Sequence, residues 1–309
     1  MDLDQLHPDL QPVYQKVPRV PFHAWWFRNL MPLAQAVRKR LTKPRPVAGV
    51  RSQETTLGGV GVKLYQPEQA QPRGLVLWLH GGGYILGDAS INDDDCQRLV
   101  TGCGVAVVSV DYRLAPKHPF PAALQDVMSV WHWLVGNATS LGVSADCMVL
   151  AGQSAGAGLA AAVVQKIADD GGQQPLAQVL IYPMLDDRTA ANTNLDALNH
   201  RLWSNVNNRA AWQMYLGQPP GAAQLPDHAA PGRRADLHGL PPTWIGCGSV
   251  DLFYPENQRY YQQLQAAGVP VEFYDVAGAP HGFDVLAPEL ALVEEFRRAY
   301  SDFIDQALA

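Results

Sequence analysis

The sequence predicts an α/β protein: a mostly parallel central sheet flanked by helices on both faces. Three observations carry the prediction. Short apolar runs recur along the chain as "GLVLWLH", "VAVVSVDY", "CMVLAGQS", "AQVLIYP", "PTWIGCGS" and "VEFYDV". Helix-like stretches lie between them, among them "FPAALQDVMSVWHWLVGNA", "SAGAGLAAAVVQKIADD" and "YPENQRYYQQLQAAG". Strands rich in Val, Ile and Leu that alternate with helices form parallel sheets covered on both sides.

Taken in order, residues 1–45 read as helical and irregular, with Trp25, Trp26 and Phe27 adjacent. "KPRPVAG" (Lys43–Gly49) reads as a Pro/Gly linker, and "VGVKLYQP" alternates as a half-buried strand does. The strand–helix rhythm then begins. One segment interrupts it: residues 187–230 hold many Asn, Ala and Pro, plus Trp203, Trp212 and Tyr215. Long insertions between strands tend to be lids or binding loops. The last helix is expected to bury Leu292, Phe296, Ala299 and Phe303, which share a face at helical periodicity.

Composition narrows the function. With 309 residues, 47% of them hydrophobic, the chain can bury a large core. A net charge of −6 and the lack of a basic block argue against nucleic acid. The densest basic cluster, Arg38, Lys39, Arg40, Lys43 and Arg45, reads as a solvated helix end and linker. No run approaches the roughly 20 apolar residues of a membrane span. The start, "MDLDQLHPDL", is acidic and lacks the apolar region of a secretory signal, so a cytoplasmic location is expected. Cys96, Cys103, Cys147 and Cys247 show no C-x-x-C spacing, so reduced thiols and no metal site are expected.

"LAGQSAGAG" joins a buried strand to a helix and contains G-x-S-x-G as Gly152, Gln153, Ser154, Ala155 and Gly156. A serine on a sharp strand-to-helix turn exposes its hydroxyl above the sheet, and small neighbours avoid clashes around the turn. The helix N-terminus favours the negative charge that develops there. Upstream, "LVLWLHGGGYILGD" ends a buried strand in three glycines. Acyl transfer passes through a tetrahedral oxyanion that needs preorganised N–H donors, and a bare glycine backbone can supply them. The expected donors are the amides of Gly82, Gly83 and Ala155. His80 precedes the nucleophile in the chain and is expected to be structural.

The serine needs a base, and the base needs an orienting acid. With this nucleophile turn the chain order is Ser, acid, His. Of nine histidines, only His281, in "GAPHGFD", follows every expected strand. Asp251 lies just past "TWIGCGS" and is the preferred acid; Glu256 and Asp275 are the alternatives.

These residues resemble the hormone-sensitive-lipase-like family of α/β-hydrolases, the group often called bacterial family IV esterases. The matching pieces are "HGGGY" at His80, "DYRLAPKHPFPAAL" from Asp111, "GQSAGA" from Gly152, "DLFYPE" from Asp251 and "HGF" from His281. The resemblance spans roughly residues 55–305. It implies an α/β-hydrolase fold with a helical cap, residues 1–45 forming the cap's N-terminal part and 187–230 its insertion. Residues 46–186 and 231–309 then form the catalytic domain. It implies a carboxylesterase that takes short- or medium-chain acyl esters and no cofactor. Tyr84, Trp25 and Trp203 are the expected substrate contacts, the partner is a small-molecule ester, and a homodimer is left open.

Departures from the family pattern are Gln153 in place of Asp, Leu252 in place of Pro, Pro255 in place of Asp, and Lys117 in place of Glu. None removes a triad member. Gln153 removes a charge beside the nucleophile, which bears on pH profile and local stability. Two rival readings use the same residues: an amide or carbamate hydrolase, and a non-catalytic ligand-binding protein of this fold. The complete Ser–Asp–His set argues against the second.

Overall fold

A computed structural model describes residues 3–22, 24 and 46–309. Its sheet comprises β1 (Val50–Leu57), β2 (Val60–Pro67), β3 (Leu75–Leu79), β4 (Ala106–Val110), β5 (Met148–Gln153), β6 (Ala177–Ile181), β7 (Thr243–Gly248) and β8 (Val271–Val276). The spatial order is β1-β2-β4-β3-β5-β6-β7-β8. β2 runs antiparallel to both β1 and β4, and every later pairing is parallel. The six apolar runs are β3 to β8, as expected, and "VGVKLYQP" is β2.

The longer helices are α2 (Asp93–Cys103), α3 (Ala122–Asn137), α4 (Ala155–Asp169), α6 (Asn205–Leu216), α7 (Tyr254–Ala266) and α9 (Ala291–Ala307). Short ones are α1 (Gln11–Tyr14), α5 (Asp187–Ala191) and α8 (Phe283–Leu286). Strands β3 to β7 are buried along their whole length. Their side chains alternate between two cores, because successive strand residues point to opposite faces. Leu75, Leu77 and Leu79 pack with α3 and α4, whereas Val76 and Trp78 pack with α2 and α9.

Two elements escape the sequence pattern. β1, "VRSQETTL", buries only Val50 and Leu57 and exposes most of the residues between them. It is an edge strand, and an edge in water carries no apolar run for a sequence reader to see. α2 opens on Asp93, Asp94 and Asp95, whose charges suit a helix N-terminus but disguise an amphipathic helix as a loop. The expected face of α9 is also turned. Phe296 and Phe303 are buried as expected, but Val293, Tyr300 and Ile304 complete the stripe, and Leu292 and Ala299 are only half-buried.

The parallel strands carry their C-terminal ends to one edge of the sheet. The loops after β3, β5, β7 and β8 hold His80–Gly83, Ser154, Asp251 and His281, so residues distant in sequence meet at that edge. Ligands in open α/β sheets bind at this position.

The 187–230 insertion follows β6 above the same edge. Its base is clasped by Arg233, which holds buried Asp187 through Nε at 2.6 Å and Nη2 at 2.8 Å. Ser204 caps α6 by accepting from the Asn207 amide. The N-terminal segment is stitched to this insertion. The Tyr14 hydroxyl accepts from the Arg201 amide at 2.8 Å, and Arg201 Nη1 donates to the Val17 carbonyl. Asn207 Nδ2 donates to the Val20 carbonyl, and the Phe22 ring lies 5.6 Å from that of Trp203.

Candidate active site

Ser154 follows β5 and caps α4 with φ +56°, a left-handed conformation that a non-glycine residue adopts only when its surroundings hold it. Three backbone bonds do so. Its amide donates to the Ile181 carbonyl at 2.9 Å, and its carbonyl accepts from Met184 and Gly158 at 3.0 Å each. The turn also needs Gly156, where a Cβ would collide with the carbonyls of Leu79 and His80. α4 can therefore press its N-terminus against the end of β3.

Ser154 Oγ lies 2.9 Å from His281 Nε2, and His281 Nδ1 lies 2.8 Å from Asp251 Oδ2. The other Asp251 oxygen accepts from the Phe253 amide at 2.8 Å. All three side chains are largely shielded from solvent. The His281 ring is flanked edge-on by two aromatics, Tyr182 at 4.8 Å and Phe253 at 5.0 Å between centroids. This arrangement can move a proton from a hydroxyl to an imidazole whose charge a carboxylate stabilises.

The alternative acids are placed elsewhere. Asp275 accepts from the Tyr254 hydroxyl at 2.8 Å on the sheet edge. Glu256 is fully buried at the start of the insertion, where Oε1 accepts from the Leu185 amide at 2.7 Å and the Asp186 amide at 3.2 Å, and Oε2 meets the Thr189 hydroxyl. Burial pushes its pKa up from 4.5 to about 8, with Asp186 adding to the rise.

The Glu256 shift has a stability consequence. Because the folded state holds the proton more tightly, this stabilisation is complete below pH 4.5 and is lost as pH rises through 8. Glu256→Gln keeps an acceptor for the amides and a donor for Thr189 without ionising. Its melting temperature relative to the parent should climb by about 2 °C or more from pH 6 to pH 9. Melting curves across that range check this; a constant difference would contradict it.

Gly82 and Gly83 adopt φ +120° and +62°, and a Cβ on Gly83 would strike the Trp203 ring. Among the described residues no carbonyl accepts either amide, which leaves both free to serve an oxyanion. A Cβ on neighbouring Gly81 would lie 3.5 Å from Ser154 Cβ, so the glycine loop borders the serine directly. Ala155 opens α4, where helix geometry leaves its amide without an intrahelical acceptor.

His80 is buried beneath the glycine loop. Its ring stacks on Tyr112 at 4.2 Å, and its Nδ1 lies 2.7 Å from the Gly81 carbonyl. Tyr84 is buried too, its ring stacked on Tyr215 of α6 at 3.8 Å, so it fastens the glycine loop to the insertion. Trp203 covers Gly83, and a Cβ on Gly282 would lie 2.6 Å from Leu202 Cδ2. The Leu202–Trp203 pair therefore bridges the glycine loop and the histidine loop. Trp25, Trp26 and Phe27 lie outside the described residues.

Sequence reasoning missed Tyr182 and Leu202, which carry no motif of their own, and gave no role to Phe253 within "DLFYPE". His200, in the insertion, lies with Nε2 3.1 Å from the Val250 carbonyl beside the Asp251 loop, and burial lowers its pKa. Cavities of about 540 and 660 Å³ open elsewhere, one beside Pro116 and Met214, the other beside Arg233 and Arg234. Neither is lined by Ser154 or His281. Among the described residues no group of three or more His, Cys, Asp or Glu could hold a metal ion, and no helix is long and apolar enough to cross a membrane.

Comparison with known proteins identifies the family of the chain. Residues 76–285 match a family described as having the alpha/beta hydrolase fold. The chain is 34% identical to esterase LipI of Mycobacterium tuberculosis over 235 residues, covering 73% of this chain and 71% of that one. It is 32% identical to carboxylesterase NlhH of the same organism over 259 residues, 80% of each chain. A solved bacterial heroin esterase superposes with a TM-score of 0.91 at 31% identity, covering 99% of both chains. The chain belongs to the α/β-hydrolase family, in its hormone-sensitive-lipase-like group of carboxylesterases. It is an enzyme of the serine carboxylesterase class.

Proposed function

We propose that this protein hydrolyses short- to medium-chain acyl esters through Ser154, His281 and Asp251 by way of an acyl-enzyme. The observation that carries the reading is the unbroken relay from Ser154 Oγ through His281 to Asp251, at 2.9 and 2.8 Å. Ser154 Oγ attacks the ester carbonyl while His281 Nε2 takes its proton. The Gly82, Gly83 and Ala155 amides hold the oxyanion. His281 returns the proton to the leaving alkoxide, then activates the water that frees the acid. Asp251 keeps Nδ1 protonated, so that Nε2 is the basic nitrogen throughout.

Residues 1–45 and 187–230 form the cap over this site in our reading. The Leu202–Trp203 bridge between the two catalytic loops supports a closed acyl wall, with Trp203 as the substrate contact. Each buried CH₂ should add about 0.8 kcal/mol of binding until the wall is met. For aryl esters of increasing acyl length, kcat/KM should therefore peak at a short or medium chain and then fall. A preference that climbs steadily into long-chain emulsions would refute the closed cap. The anilide matching the best ester should turn over far more slowly; equal or faster turnover would favour the amidase reading.

A further inference from the structure

Beside the serine, four polar side chains from four parts of the fold form a hydrogen-bond network, which Asn92 extends to Asp95 Oδ2 at 3.3 Å. They are Gln153 at the end of β5, Tyr182 after β6, Asp284 in α8 and Asn92 ahead of α2, each no more than 6% exposed. Around Gln153, Tyr182 and Asp284 each donor meets one acceptor. Asn92 Nδ2 donates to Gln153 Oε1 at 2.8 Å. Gln153 Nε2 donates to Asp284 Oδ2 at 3.0 Å and to the Tyr182 hydroxyl. The Tyr182 hydroxyl in turn donates to Asp284 Oδ1 at 2.7 Å.

The network reaches the catalytic histidine through Tyr182. That residue holds φ +34°, its amide donates to the Gly246 carbonyl at 2.6 Å, and its ring meets that of His281 edge-on at 4.8 Å. We propose that Tyr182 is a positioning residue for His281, and that Gln153 and Asp284 are a matched amide–carboxylate pair that holds its hydroxyl. The proposal rests on the triad reading above.

The matching follows from counting protons. The Tyr182 hydroxyl carries one, which goes to one Asp284 oxygen; the second oxygen takes its donor from the Gln153 amide. A carboxylate at position 153 would remove that donor and set two buried acids around one hydroxyl. Like charges so placed cannot both ionise freely, so the pair would retain a proton. Burial already raises the Asp284 pKa to about 6, with Asp95 adding to the rise and Arg297 opposing it. Tyr182 and Tyr300 are the other titratable groups coupled to it.

The test is a pair of variants and their combination, each assayed for kcat and KM from pH 6 to pH 9 as a ratio to the parent. Taking the ratio cancels the pH dependence common to all. Tyr182→Phe keeps the ring and frees it from the clamp; kcat should fall on the order of ten- to hundredfold with KM little changed. For Gln153→Glu, the kcat ratio should decline as pH rises and the acid pair gives up its proton. Adding Asp284→Asn to it exchanges the two groups and restores the donor count, so the ratio should recover and become flat. The pair is overturned if Gln153→Glu gives a flat ratio near one, or if the exchange brings no recovery. Positioning is overturned if Tyr182→Phe matches the parent in kcat. Failure of the triad reading is seen separately, as turnover that survives in Ser154→Ala.

Discussion

Ser154→Ala is expected to abolish ester turnover and leave the fold intact. The hydroxyl's hydrogen bond is to His281 Nε2, at 2.9 Å, and its loss leaves that nitrogen at the reaction edge of the sheet. The strained backbone at this residue is held by bonds to its own amide and carbonyl, which alanine keeps. Stability should therefore change little. Turnover should drop on the order of 10⁴-fold or more, because triad members act as a unit and little but binding and the oxyanion donors remains. Steady-state kinetics on purified protein with an unchanged melting curve would check this. A folded variant that keeps more than a small fraction of activity would move the nucleophile elsewhere.

Asp251→Asn should cost about 10⁴-fold in kcat for a different reason. The amide can still accept from Phe253, but its NH₂ would then face His281 Nδ1. That forces the imidazole proton onto Nε2, the nitrogen that must take the serine proton. Glu256→Gln, by contrast, should retain most activity, because Glu256 bonds Leu185, Asp186 and Thr189 at the foot of the insertion. Assaying both variants side by side ranks the two carboxylates. The reverse order would transfer the acid role to Glu256.

Arg233 and Glu256 show why the insertion can be large without loosening the site. Arg233 closes its two ends across Asp187, and Glu256 anchors its first turn. The Leu202–Trp203 bridge then places its middle against the glycine loop and the histidine loop. It is also linked to the N-terminal segment, through Tyr14, Val17 and Val20.

The sequence by itself determined the strand–helix alternation, the parallel sheet from β3 to β8, and the candidacy of Ser154, Asp251 and His281. These are local signals. A strand buried on both faces must be apolar along its length, and a serine on a sharp turn needs small neighbours. The histidine and acid follow from chain order at strand ends. What only the tertiary structure decided is everything set by contact across the fold. β1 is invisible in the sequence because an edge strand in water need not be apolar, and packing chooses the Val293–Phe296–Tyr300–Phe303–Ile304 stripe of α9 over the neighbouring one that leaves Leu292 and Ala299 half-buried. Tyr182 and Phe253 flank His281, and Gln153 meets Asp284 across 131 positions of chain. Such pairs leave no periodic or spacing signature. Their donors and acceptors become a matched set only when the sheet brings its strand ends together.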